Sequence, residues 1–400
     1  MSASPAILFT AFEPSGDALA AVLIAALKQG RPELAIHALG GPRMAAAGAE
    51  LIEATTDQPV MLLSAARQAL VHRARLKRLD AFLRRHPVAA FVPTDSPAAN
   101  WSVCKLVRRR CPEARIVHLA APQLWAWAPW RIHKLRRLTD HLLCLLPFEP
   151  DWFEQRGVPA TFVGHPLFDE RRADAVAARE AASRGDGPSE VRNPQSELVP
   201  PRLALLPGSR SAEVRANAAT MLAVACEMER RVPGLVVEVA AADAIRERLM
   251  RDMLDRVTGP TQLLITTGRA DDVLSRADAA LVVSGTATLH AAVHRTPMVV
   301  VYRAGWLAWQ AIGRWIVSTR TFSLPNLIAR GQGRGRVVPE HVPHFGDVGE
   351  LVRDLEPLVT DAAAREAQRA ALDEVIAPFI ETRFAEAAPA ALLRVMDRLS

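Results

Sequence analysis

Short apolar runs alternating with helix-period segments, twice over in one chain, are what most restrict the folds open to this sequence. In the first half, AILFTAF (6–12), ELAIHALG (33–40), AAFVPTD (89–95), ARIVHLAA (114–121) and DHLLCLLP (140–147) read as buried strands. Segments 17–29, 66–86 and 98–110 lie between them with helical periodicity. Continuous apolar strands separated by helices argue a parallel, doubly wound sheet. The pattern restarts with RLALLPG (202–208), LVVEVAA (235–241), QLLITTG (262–268), AALVVSG (279–285) and PMVVVYR (297–303). The stretch 171–201, rich in Gly, Pro, Ser and charge, reads as a partly disordered connection. The chain's 400 residues exceed what one hydrophobic core usually serves. The expected fold is therefore α/β, with two tandem Rossmann-like domains and a cleft between their strand ends. Domain boundaries are expected at 1–168, 169–201 for the linker, 202–360, and 361–400 for an Ala-rich helical tail.

Composition removes several classes of function. Half the residues are apolar and 23% are charged, as in ordinary globular proteins. No apolar run reaches the roughly 18 residues that a membrane span needs. The opening MSASPAILFTAFEPSGD has no basic n-region, and its apolar run fits a first strand better than a signal peptide. A cytoplasmic chain is the expectation. Cys104, Cys111, Cys144 and Cys226 fit no metal spacing and are expected as reduced thiols. The net charge of +6 is unevenly spread: residues 60–140 carry 16 Lys/Arg against 4 Asp/Glu. Such a face suits an acidic substrate or an anionic membrane unless it is only solvated surface. No nucleic-acid-binding module pattern accompanies it, so nucleic acid is not an expected partner.

Four motifs stand at strand C-termini, where open α/β sheets bind ligands: Ser15-Gly16-Asp17, Asp95-Ser96-Pro97, Pro207-Gly208-Ser209-Arg210 and Ser284-Gly285-Thr286. In LALLPGSRSAEVR, Gly208 permits close backbone approach, and the amides at a helix N-terminus favour an anion. Arg210 adds a fork for two phosphate oxygens, unless it is merely a surface arginine. VVSGTATLHAA (282–292) repeats the design, and two such loops in one domain point to a diphosphate and hence a nucleotide. Neither a Walker lysine nor GxGxxG is present, which weighs against ATPase and NAD chemistry. The first domain offers carboxylates instead: Glu13 and Asp17 flank a helix start, where Ser15 or Asp17 can simply cap. Asp95 at a strand end is either a turn residue or a general base for an acceptor hydroxyl.

FEPSGD (12–17), GGPRMAAAG (40–48), APQLWAWAPWRIHKL (121–135), LLPFEPDWFEQRGVPATFVGHPLFD (145–169), LALLPGSRSAEV, SGTATLHAA and PMVVVYR with SLPNLIA (297–329) occur in that order. Together they resemble the lipid-A-disaccharide synthase family over about residues 6–330. The resemblance implies a GT-B fold with final helices packing back on the N-terminal domain. It implies an inverting hexosyltransferase of lipid A synthesis, peripheral on the cytoplasmic face of the inner membrane. The implied substrates are a UDP-linked diacylated amino sugar and a lipid monosaccharide phosphate, with no metal and no cofactor. By position, Gly208, Ser209, Arg210, Ser284, Gly285, Thr286, His290 and Asn326 would serve the nucleotide. Ser15 and Gly16 would face the sugars, and Asp95, Glu13 and Asp17 are the catalytic candidates, with Asp95 the first choice for base.

Departures from the family pattern are Phe12, Pro14, Ala98 and His290, the last two standing where carboxylates are usual. Trp125 and Trp127 are expected to stack on an acceptor sugar, dip into headgroups, or pack in the core. AGWLAWQAIGRWIV (304–317) reads as an interfacial helix or as one packed on the sheet. His165 reads as a structural or hinge histidine. Two rival functions share the fold: a UDP-GlcNAc 2-epimerase-type enzyme, and a non-catalytic paralogue that binds nucleotide sugar or lipid. The oligomeric state is open, a homodimer being one expectation.

Overall fold

The first strand, β1 (Ala6–Thr10), lies inside a parallel sheet and is covered on both faces. Ile7 and Phe9 enter one core with Leu23, Ile24 and Leu27 of the helix Pro14–Gly30. Leu8 enters the other core with Trp101, Cys104 and Val107 of the helix Pro97–Arg110. Burial on both faces is why such strands appear in sequence as unbroken apolar runs rather than alternations. The computed structural model describes residues 6–56, 65–95, 97–169, 200–257, 259–303, 319 and 321–397. Most of the connection 169–201 and the Trp306 helix expected over 304–317 lie outside these residues.

The chain forms two units. The first comprises residues up to 169 together with those from Glu381 onward. Its sheet is completed by β2 (Ala35–Gly40), β3 (Glu50–Ala54), β4 (Ala90–Pro93), β5 (Arg115–Leu119), β6 (His141–Cys144) and β7 (Ala160–Phe162). The strand order is β3-β2-β1-β4-β5-β6-β7, all parallel. The second unit contains β8 (Arg202–Leu206), β9 (Val236–Ala241), β10 (Leu263–Thr267), β11 (Ala279–Val283), β12 (Met298–Val301) and β13 (Glu340–His341). Its order is β10-β9-β8-β11-β12-β13, again all parallel. In both units the order reverses beside the first strand, as in dinucleotide-binding sheets.

The helical tail does not act as one piece. The helix Ala362–Glu381 belongs to the second unit. Its Asp373 receives a two-pronged bond from Arg295, and its Gln368 accepts from Met298 N at the start of β12. Only the helix Phe384–Asp397 packs in the first unit, so the expectation that all of 361–400 returns there holds for its last part alone. None of the four cysteines is in a disulfide, and burial pushes the Cys104 thiol up to about 12. No helix among the described residues is long and apolar enough to cross a membrane.

Candidate functional site

The switch point of the first sheet lies between β1 and β4. The two loops leaving these strands carry FEPSGD and Asp95, and the fold presses them together. A Cβ on Gly16 would lie 3.3 Å from the Cβ of Ala11, 3.7 Å from that of Asp95 and 3.7 Å from Thr94 O. Asp95 is half-buried, with a left-handed φ of 48°, which aspartate tolerates better than most residues. Asn100, fully buried one turn into the next helix, accepts from Thr10 Oγ1 and donates to the carbonyls of Thr94 (3.2 Å) and Asp95 (2.8 Å). It fastens the unusual turn to β1. An Asn five residues after a strand-end Asp was its only signal in the sequence.

Glu13 is the N-cap residue of the helix Pro14–Gly30 and, with Ser15, is exposed on the same loop. Asp17 departs from expectation. It is 3% exposed, and its carboxylate accepts three backbone N–H groups: Gly41 (2.9 Å), Met44 (3.1 Å) and Arg43 (3.1 Å). It therefore caps the short helix Pro42–Ala46 and ties the loop after β1 to the loop after β2. With both oxygens engaged and shielded, it is a structural residue and not a catalytic one.

In the second unit the switch point lies between β8 and β11, and the other two motifs leave those strands. Gly208 has a φ of +112°, which favours glycine, and a Cβ there would lie 2.7 Å from Glu213 Oε2. The anion nest is filled from within: Glu213 Oε2 accepts from Ser209 N and Arg210 N, each at 3.1 Å. Glu213 Oε1 also accepts from the Arg210 guanidinium at 3.1 Å, and that side chain is 69% exposed. The carboxylate stands where an external anion was expected.

The loop after β11 is more open. Nothing lies within 4 Å of a Cβ on Gly285, and Thr286 is exposed. Ser284 donates through Oγ to Phe322 O at 2.9 Å. His290 is engaged by Asp271, whose Oδ1 lies 3.0 Å from His290 Nδ1 and 3.0 Å from His294 Nε2. Burial penalises the charge of Asp271, but these two histidines outweigh it and hold the carboxyl below its usual range. Asn326 does not offer itself to a nucleotide. It is 1% exposed, donates to Val338 O and Glu340 Oε2, and accepts from Val337 N and Val338 N. These bonds use both amide protons and both carbonyl lone pairs.

The tryptophans divide. Trp125 is buried, donates to Glu149 Oε1 at 3.0 Å and packs edge-on against Phe148, so it is core and not acceptor surface. Trp127 is 44% exposed and Trp130 60%. The Arg131 guanidinium lies 5.2 Å from the ring centre of Trp127 and 4.6 Å from that of Trp101, and Lys134 Nζ is 3.7 Å from Trp101. Burial, then Lys105 and Arg131, lower the Lys134 pKa from its usual value. Beside this patch, the helices Ala65–Arg85 and Pro97–Arg110 enclose a groove of about 400 Å³. Arg73, Lys77, Lys105 and Arg109 line it around Asp80. Three arginines (Arg84, Arg109 and Arg110) pair with Asp80, and Arg110 above all holds its carboxyl down at about 2.

A family model described as lipid-A-disaccharide synthetase matches residues 7–377. The lipid-A-disaccharide synthase of Burkholderia pseudomallei is 34% identical over 404 residues, covering 98% of this chain and 96% of the relative. That of Pseudomonas putida is 33% identical over 398 residues, covering 98% and 99%. Among solved structures, UDP-GlcNAc 2-epimerase from Neisseria meningitidis, bound to UDP-GlcNAc, superposes with a TM-score of 0.56 at 10% identity. That match covers 94% of this chain and 100% of the epimerase, and at such identity it speaks for the two-domain GT-B-like fold alone. With the family model spanning both sheets and full-length relatives above 30% identity, the chain belongs to the lipid-A-disaccharide synthase family, a family of hexosyltransferases.

Proposed function

We propose that this protein transfers a 2,3-diacylglucosamine unit from its UDP-linked donor to a lipid monosaccharide 1-phosphate with inversion, giving a lipid A disaccharide and UDP. The observation that carries the reading is the family match along nearly the whole chain, joined to glycine-, serine- and aspartate-bearing loops at the switch point of each sheet. Asp95 takes the proton of the acceptor hydroxyl as that oxygen attacks the anomeric carbon. The bond from that carbon to the diphosphate breaks, and its electron pair leaves with UDP. One displacement without a covalent intermediate inverts the configuration. Glu13 and Ser15, exposed beside Asp95 on the adjoining loop, meet the sugars.

At the second switch point, Arg210, the amides of Ser209 and Arg210, and the Ser284–Thr286 loop receive the diphosphate. Glu213 yields those amides when the donor arrives, because an anion of higher charge competes for the same donors. Such a cradle neutralises the leaving group through preorganised donors. His290, paired with Asp271, borders this loop in place of a carboxylate.

A lipid acceptor requires a membrane surface, and the basic groove with its neighbouring Trp127 and Trp130 supports peripheral binding to anionic lipid. Sedimentation with anionic vesicles should weaken steeply as salt shortens the Debye length from about 30 Å at 0.01 M to about 8 Å at 0.15 M. Salt-independent binding would remove this part of the reading.

The decisive assay is UDP release from UDP-2,3-diacylglucosamine with and without the lipid monosaccharide phosphate. Release should require the acceptor and fall about 10²–10⁴-fold in Asp95→Asn. Acceptor-independent release, or full activity in Asp95→Asn, overturns the reading. Conversion of UDP-GlcNAc alone to its manno epimer would favour the epimerase.

A further inference from the structure

A second cluster of chemistry-bearing side chains lies in the second unit, at the carboxyl end of its edge strand β13. One ring nitrogen each of His341 and His344 and one carboxylate oxygen of Glu350 lie within 4.8 Å of one another. His344 is 3% exposed, and its Nε2 has no hydrogen-bond partner. A buried imidazole nitrogen left unpaired costs about 1–3 kcal/mol unless something completes it. Its backbone N–H meanwhile donates to Tyr302 O at 2.8 Å, fixing the loop in place. His341 is held by Asp354, whose Oδ2 lies 2.8 Å from His341 Nε2. A carboxylate behind a ligand histidine is the usual way an imidazole is oriented toward a metal. Gly346 marks where the groups converge: a Cβ there would lie 2.7 Å from Glu350 Oε2 and 3.4 Å from His344 Cε1.

We infer that His341, His344 and Glu350 form a binding site for a divalent transition-metal ion of the zinc class. Two imidazoles and a carboxylate suit such an ion, whereas calcium and magnesium prefer all-oxygen sites. Zinc bonds of about 2.0–2.1 Å set tetrahedral ligand atoms about 3.3 Å apart, so the cluster tightens on loading. Glu350 has the freedom for this, being exposed on the first turn of the helix Val348–Thr360. With three protein ligands and a water in the fourth position, the ion would serve here to tie two elements together. It joins β13 to the following helix one residue beyond Glu340, whose carboxylate accepts from Phe322 N, Ser323 and Asn326. The family resemblance implies no metal for the transfer itself, and this site lies apart from the motifs assigned to that chemistry. No step of glycosyl transfer passes through the ion.

The test is titration of the full-length, chelator-treated protein with zinc by calorimetry, and with cobalt(II) by visible absorption. The wild type should bind one equivalent and give the intense absorption of a tetrahedral cobalt site. Glu350→Gln changes an exposed side chain, and Asp354→Asn changes only the orienting group. Glu350→Gln should lower zinc affinity at least tenfold and lose the cobalt signal, and Asp354→Asn should lower affinity about 10–100-fold. Both should keep the wild-type circular dichroism. Absence of stoichiometric binding by the wild type, or wild-type affinity in both variants, overturns the site.

Discussion

Glu149 and His118 are buried in the first unit with opposite consequences for pH. Glu149 accepts from Trp125 Nε1 and Leu146 N, yet burial dominates and raises its carboxyl to about 7 from 4.5. Its folded state therefore holds a proton that the unfolded state has lost between pH 4.5 and 7. The stabilisation is fully present below 4.5 and lost as pH rises through 7, about 3 kcal/mol in all. His118 has neither ring nitrogen bonded, and burial pushes it down to about 3 from 6.5. There the unfolded state binds the extra proton, so stability is lost as pH falls below 6.5. Between 4.5 and 6.5 the two slopes cancel. Glu149→Gln should therefore gain on the wild type by about 1.4 kcal/mol per pH unit from 4.5 to 7, whereas His118→Leu should gain as pH falls from 6.5 toward 3. Urea unfolding followed by hydrogen exchange in β5 and β6 measures both. Pairs of parallel curves would show that neither group titrates this way. Residue identity alone did not reveal these environments: Asp17, Asn326 and Trp125 each read as site residues. The backbone N–H groups of Gly41, Arg43 and Met44, the Val337–Val338 turn and Glu149 that engage them lie 11 or more positions away.

At the scale of elements, the apolar strands β1, β2, β4, β5, β6, β8, β9, β11 and β12 were legible because burial leaves a continuous signal, whereas the edge strand β10, with Leu264 exposed, was legible from its apolar and β-branched run alone. The edge strand β3, ELIEA, is partly exposed along its length, and β7 and β13 have only three and two residues. Such edges are held by neighbours rather than by pattern. The motif at 164–169 had no assigned purpose beyond a structural histidine, and the structure supplies one. Asp169 accepts from Phe384 N (2.9 Å) and Ala385 N (2.8 Å), capping the last helix. Gly164, at φ +77°, lies so close to Thr382 that a Cβ would press into its carbonyl oxygen. Gly164→Ala should cost about 2 kcal/mol or more, combining left-handed strain with that clash, and thermal denaturation reports it. The Arg210–Glu213 cap carries the converse lesson: the anion nest was legible, while its internal occupant needed coordinates. Glu213→Ala should tighten UDP binding about tenfold and cost the helix about 1 kcal/mol. Unchanged or weaker UDP binding in calorimetry would show that Glu213 assists the site rather than competing for it.

Taken as a whole molecule, the chain repeats one sheet order twice and closes the first unit with its own far end. Phe384, Ala388, Ala391 and Leu392 of the last helix enter the core that holds Ile7, Phe9, Val117 and Leu143. Burying one large apolar side chain contributes about 1.5–3 kcal/mol, so Phe384 and Leu392 together approach the whole stability of a small domain. The second unit has its own core, built from β8, β9, β11 and β12 with the helices Ser211–Arg231 and Val348–Thr360. A chain ending at Glu381 should therefore lose exchange protection in β1, β5 and β6 while β8, β9 and β11 stay protected. If the diphosphate binds at the second switch point, that truncated chain should still bind UDP, yet fail to transfer, because Asp95 sits on the damaged sheet. Loss of protection in both sheets together would mean that the units fold as one cooperative body. Loss of UDP binding with β8 and β11 still protected would place the nucleotide elsewhere than the loops carrying Arg210 and Gly285.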